Sequence, residues 1–143
     1  MAARYQRGLA RRAGNGLVRM LLRLGLGPAR TYLLTVTGRR SGAPRSTPVT
    51  LVEEGARRWL VSPYGEVAWV RNLRATGRAT LSRGGRTEAV AVREITPEEA
   101  APVLKLYVTR VPITRPYFDV KSESDLDAFR TEAPRHPVFA IVG

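Results

Sequence analysis

Apolar and polar positions recur in short runs along most of the chain, and the runs predict strands. Thr31–Thr37 is rich in β-branched and aromatic residues; residues 48–54 and 58–62 follow it, joined to each other through Glu54-Gly55. Residues 80–82 and 87–95 flank Gly84-Gly85, a hairpin pattern, and residues 137–142 form a last apolar run. Alternation across 88–93 is imperfect, which predicts a strand buried on more than one side. Three stretches carry helical spacing instead. Residues 66–74 set Trp69 and Leu73 one turn apart and put Glu66 in the first turn, where its charge suits the helix dipole. Thr96-Pro97-Glu98-Glu99 is a capping box with proline at the first helical position. It opens a helix toward Tyr107, in which Pro102 must lie early to avoid a kink. Residues 122–131 form a further short helix, followed by Pro134. Six strands with short links and few helices predict a mainly β fold with flanking helices, an α+β arrangement built on a small antiparallel barrel.

The N-terminal part breaks this pattern. Residues 1–16 are basic and rich in small residues, and read as a frayed arm without a cleavable signal. Leu17, Val18, Met20, Leu21, Leu22, Leu24 and Leu26 then make an apolar helix-like segment with Arg19 and Arg23 four apart on its other face. It is too short and too charged to span a bilayer, and Gly25, Gly27 and Pro28 end it. Such a segment either packs on the domain or rests on a membrane surface. The expected division is a basic arm and amphipathic helix over 1–30, then a single domain over 31–143.

Composition narrows the chemistry. The chain has 143 residues, no cysteine, one histidine and a net charge of +12. Thiolate catalysis and disulfides are excluded, and a histidine-based metal site has too few ligands. Ten arginines and no acid lie between Met1 and Arg45, while the remainder is nearly balanced. That excess admits nucleic acid, an anionic membrane or an anionic small molecule as partner. No Gly-x-Ser-x-Gly elbow accompanies His136, and Glu53-Glu54 and Glu98-Glu99 sit beside turn and cap signals, so neither a serine triad nor a carboxylate pair is legible. An enzyme built from these residues would depend on a bound cofactor.

One stretch is suited to hold an anion: Thr37-Gly38-Arg39-Arg40-Ser41-Gly42-Ala43-Pro44-Arg45-Ser46-Thr47-Pro48. Its glycines permit positive φ and exposed N–H groups, and its three arginines offer bidentate donors. Together with Trp69-Val70-Arg71-Asn72-Leu73-Arg74, it resembles the deazaflavin-dependent nitroreductase family, a split-β-barrel group related to FMN-binding oxidoreductases. The resemblance runs from about residue 31 to Gly143.

The resemblance implies a cytoplasmic oxidoreductase that binds coenzyme F420, whose tail carries a phosphate and glutamate carboxylates. Hydride would pass to a small electron-poor acceptor: a nitroaromatic, a quinone or an activated alkene. By motif position, Arg39, Arg40 and Arg45, with Ser41 and Gly42 in the same turn, would bind the phosphate and tail. Thr47 and Pro48 would lie along the cofactor, and Val61 and Ser62 would line its ring. Ala68 and Trp69 would pack by the deazaflavin, and Trp69, Tyr107, Tyr117 and Phe118 would surround the substrate. The Ser62 or Tyr64 hydroxyl, or solvent, would supply the proton. In one departure, Pro63-Tyr64-Gly65 stands where the family pattern has a lysine followed by glycines. That tail contact is missing or comes from Arg71 or Arg74, and FMN stays open as the alternative cofactor. The family reading expects no nucleic acid and a monomer or homodimer. The competing readings are a basic nucleic-acid binder and a form of the reductase held on the membrane by its N-terminal helix.

Overall fold

The computed structural model describes residues 30–142, so the predicted N-terminal arm and amphipathic helix lie outside the described residues. Six strands close into an antiparallel barrel: β1 (Thr31–Thr37), β2 (Pro44–Glu54), β3 (Arg57–Val61), β4 (Arg78–Arg83), β5 (Arg86–Glu94) and β6 (Val138–Ile141). Their order around the barrel is β1-β2-β3-β6-β5-β4. The two longest strands change partner midway. β2 pairs with β1 through Pro44 to Thr50 and with β3 from Leu51 onward. β5 pairs with β4 from Arg86 to Ala91 and with β6 from Val92 onward. Among the described residues no strand pairs with the first half of β2 on its β3 side. Pro48 sits in that half, opposite Leu33, where its missing N–H does not cost a ladder bond on both sides.

β2 begins four residues earlier than its apolar pattern predicts, because β1 keeps pairing until Thr37 meets Pro44. The connecting turn shrinks to residues 38–43, and Arg45, Thr47 and Pro48 lie on the strand. Within that turn the glycines play different parts. Gly42 has φ 72°, the left-handed conformation expected of it. Gly38 is buried and does not have positive φ; a Cβ there would come within 2.7 Å of Ser41 Oγ and 3.2 Å of Ala43 O, so close approach requires the glycine.

Two apolar cores lie on opposite faces of the sheet. The barrel interior is filled by Leu34, Val36, Leu51, Leu60, Leu81 and Phe139, and closed at one end by Val70 and Leu73 of α1 (Ala68–Thr76). The outer core packs Val52, Trp59, Val61 and Val138 against α2 (Pro97–Arg110) and α3 (Leu126–Glu132). β3, β6 and the second half of β2 are consequently apolar on both faces. β5, expected to be buried on more than one side, buries only Val90, since no helix among the described residues covers its outer face.

The capping box forms as predicted: Thr96 Oγ1 accepts from Glu99 N at 3.2 Å, and Glu99 Oε1 receives Thr96 N at 3.5 Å. Pro102 lies inside α2 on its exposed side, where the carbonyl it leaves unpaired can meet water. α1 starts later than predicted, with Val67 at the N-cap and no acid in its first turn. Glu66 instead pairs with Arg74 at 3.1 Å. α3 also starts late, because Asp125 caps it by accepting from Ala128 N at 2.9 Å. Pro112–Tyr117 forms a 3-10 turn that the sequence pattern did not predict.

Candidate functional site

A cavity of about 690 Å³ opens between the turn after β1, the first half of β2, the N-terminal end of α1 and the C-terminal end of α2. Its size is in the range of small-molecule sites. One end is cationic. Arg39, Arg40 and Arg45 line it with Gly38 and Ser41. The turn satisfies several of its own amides: Gly38 N donates to Ala43 O at 2.8 Å, Gly42 N to Gly38 O at 2.9 Å, and Ala43 N to Ser41 Oγ at 3.2 Å. The Arg40 and Ser41 amides have no partner among the described residues.

Asn72 fastens this turn to α1. Its Oδ1 accepts from the Arg39 backbone N–H at 3.1 Å and from Arg39 Nη1 at 2.8 Å. It is 4% exposed, so the oxygen must be met by protein donors, and both come from one residue. Ala68, Trp69 and Asn72 share the cavity-facing side of α1, while Val70 and Leu73 face the barrel. The sequence reading gave Asn72 no role of its own. The available signal was an amide on the buried half of an amphipathic helix, next to Leu73.

Several arginines elsewhere are committed to acids. Arg58 bonds Glu88 at 2.9 and 2.7 Å, and Arg110 reaches Glu54 at 2.7 Å. Arg74 holds Glu94 at 2.8 Å as well as Glu66. It is therefore not available to replace the expected lysine, and Arg71 does not line the cavity. Among the described residues Arg40 and Arg45 have no acidic partner, which leaves their guanidinium groups available to an anion.

The other end is aromatic and apolar. Tyr64, Trp69, Tyr107, Val111, Ile113 and Thr114 form it, with Thr47, Pro48 and Val61 along the floor. Trp69 is partly buried, its ring 6.2 Å from that of Phe139. Burial pushes the Tyr107 phenol well above the ordinary tyrosine value, against a hydrogen bond with Thr114 that acts the other way. Tyr107 is thus a neutral O–H at any physiological pH.

Four residues expected at the site do not line the cavity. Gly42 shapes the turn. Ser62 is fully buried and its Oγ donates to Gly65 O at 2.5 Å, so this hydroxyl closes a turn rather than lining the cavity. Tyr117 stands behind Tyr64, edge-on at 4.7 Å between ring centroids. Phe118 is buried against the His136 imidazole, with ring centroids 3.9 Å apart. The chain separation of these residues from the cavity could not be judged from their spacing.

The sequence pattern of the family described as F420H(2)-dependent quinone reductase matches residues 3–126. The chain belongs to that family. Its cofactor is coenzyme F420, and its chemistry is F420-dependent oxidoreduction. Among solved structures, the chain is similar to one described as an F420-H2 dependent reductase, FDR-A, with 27% identity and a TM-score of 0.56. That similarity covers 80% of this chain and 95% of the other. A structure described as a domain-swapped dimer is similar over 94% of this chain and its own entire length, at 23% identity and TM-score 0.58. A putative 5-nitroimidazole antibiotic resistance protein from Bacteroides thetaiotaomicron shares the fold at 15% identity and TM-score 0.53, over 88% of this chain and 77% of its own. Among curated proteins none matches in sequence.

The cavity fits the family's cofactor in kind. Uncommitted guanidinium groups and free amides at one end suit the phosphate and carboxylates of a tail, and the uncharged aromatic end suits a planar ring. No helix among the described residues is long and apolar enough to cross a membrane.

Proposed function

We propose that this reductase transfers two electrons to a small, neutral, electron-poor acceptor, with quinones as the leading class and nitroaromatics and activated alkenes as further members. The observation that carries the reading is the polarity of one cavity: arginines without an acidic partner among the described residues at one end, and Trp69, Tyr64 and Tyr107 at the other. F420, when bound and reduced, supplies the hydride.

The chain's own residues bind and orient. Arg40, Arg45 and the amides of Arg40 and Ser41 hold the anionic tail, while Asn72 fixes Arg39 so that its charge faces the same point. Thr47, Pro48 and Val61 would lie along the ring, and Ala68 and Trp69 would cover it. Tyr64, Tyr107 and Ile113 hold the acceptor against it and displace water, which is the larger part of what such a site contributes. The Tyr107 O–H is the protein group suited to hydrogen-bond the acceptor oxygen as negative charge develops there. Solvent at the cavity mouth provides the proton that the product finally takes.

The test is equilibrium titration with F420 and FMN separately, followed by anaerobic oxidation of reduced F420 with a panel of quinones, nitroaromatics and enones. F420 binding with turnover on quinones supports the proposal. FMN binding in place of F420, or F420 binding with no turnover on any of the three classes, overturns it.

A further inference from the structure

The Pro63–Tyr64 wall of the cavity is held from behind by a buried imidazole that the reaction does not use. His136 is 3% exposed, stacked on Phe118. Its Nδ1 lies 2.9 Å from the Pro63 carbonyl oxygen, and its Nε2 lies 2.7 Å from Glu132 Oε2. Pro63 O can only accept. Glu132 is held as an acceptor too, since Arg135 reaches its Oε1 and Asp119 N donates to its Oε2 at 3.3 Å. Both ring nitrogens thus face acceptors, and only the imidazolium has an N–H for each.

We propose that His136 is a positioning residue for the cavity, holding the Pro63–Tyr64 wall through the Pro63 carbonyl when protonated and releasing it when the ring loses a proton. The neutral ring keeps one N–H. The carboxylate is the stronger acceptor, so that proton stays on Nε2 and the Nδ1 lone pair turns toward the Pro63 oxygen. Pro63, Tyr64 and Val67 all line the cavity, so a shift of this wall changes the space around ring and acceptor without touching the arginine end. The segment is also tied by Ser62 N to Pro137 O at 2.9 Å, by the Ser62 Oγ bond to Gly65 O, and by the edge-on contact of Tyr64 with Tyr117.

Among the described residues the groups that face His136 are few. α3 brings Glu132, the 3-10 turn after it brings Arg135, and Asp119 acts through Arg135 at 2.8 Å. Phe118 covers the ring face and separates it from Tyr107, whose ring is 6.3 Å from that of Phe118. Burial pulls the imidazole below its ordinary value, while Glu132 and the Pro63 carbonyl pull upward. The wall is therefore tightest in mildly acid solution and loosens as pH rises through a midpoint below about 6.5.

His136 is the chain's single histidine, so its resonance needs no assignment. NMR of the full chain without cofactor should show the Tyr64 and Gly65 amides moving with the same midpoint as the imidazole. If they do not move with it, the proposal fails whatever the protein's activity. The second arm compares His136→Asn, which keeps a donor near the Nδ1 position, with His136→Gln, which can reach only Glu132. This arm rests on the F420 reading. Asparagine should preserve wild-type acid-side KM for the acceptor and abolish its pH step, with kcat little changed. Glutamine should raise KM about threefold to tenfold, the factor of one net hydrogen bond. Equal behaviour of the two variants overturns the proposal, while loss of F420 binding in the wild type would instead sink the functional reading.

Discussion

Asn72 is the residue on which the cationic end depends, and two substitutions separate its mechanical from its electrostatic part. Asn72→Leu keeps the volume and removes the oxygen. The half-buried Arg39 N–H then lacks an acceptor, at a cost of about 1–3 kcal/mol, while the exposed guanidinium turns to water and adds little. For a domain of this size Tm should fall by about 3 °C per kcal/mol. Asn72→Asp keeps both contacts and strengthens the one to the guanidinium, so the fold should hold. It also places a negative charge beside the tail site. At an effective dielectric of about 20, a unit charge roughly 8–12 Å from a bound anion contributes about 1.4–2 kcal/mol, or about ten- to thirtyfold in Kd. The assay is F420 titration at low and high salt beside urea unfolding of each variant. The aspartate variant should unfold like the wild type, bind more weakly, and recover part of the difference at high salt through screening. Wild-type affinity in the aspartate variant at low salt would refute the reasoning, because the turn would then not hold the anionic tail.

Three further outcomes are expected. Gly38→Ala should destabilise by about 1–3 kcal/mol in chemical unfolding, since the added Cβ meets the Ala43 carbonyl as well as the movable Ser41 side chain. The buried His136, whose desolvation lowers its folded-state value, binds its proton less readily folded than unfolded. Stability should therefore rise with pH between that lowered value and about 6.5 and be lost on acidification through the same window, a slope that urea unfolding of His136→Asn should lack. Trp69 lines the cavity and Trp59 is buried in the outer core, so F420 should quench the fluorescence of the wild type far more than that of Trp69→Phe.

Much of the scaffold was legible because it is locally encoded. β1, the Gly84-Gly85 hairpin and the α2 capping box each rest on neighbours within a few residues, and each formed near its predicted place. The errors lie where packing overrides pattern. Glu66 was expected inside α1, but the helix starts beyond it and its charge serves an ion pair. The alternation of β5 does not reveal that no helix among the described residues covers it, and the two-faced burial belongs to β3, β6 and the second half of β2 instead. At the site, residue type singled out the arginine turn and the Trp69 helix, which line one cavity. It could not tell that Ser62, Tyr117 and Phe118 stand behind the wall rather than in it, because that depends on where the chain after α2 returns to β3.

By itself the sequence determined an arginine turn between two strands, a tryptophan helix, and a barrel-like run of short strands, all set by periodicity, glycine placement and charge. Tertiary structure alone decided which of those charges remain free. Arg74 is taken by acids from two other segments, Arg39 is held by an amide 33 residues away, and His136 meets a carbonyl 73 residues away. The physical reason is the same in each case. A buried polar group must find its partner wherever the fold brings one within hydrogen-bond distance, and chain spacing carries no record of which partner that will be.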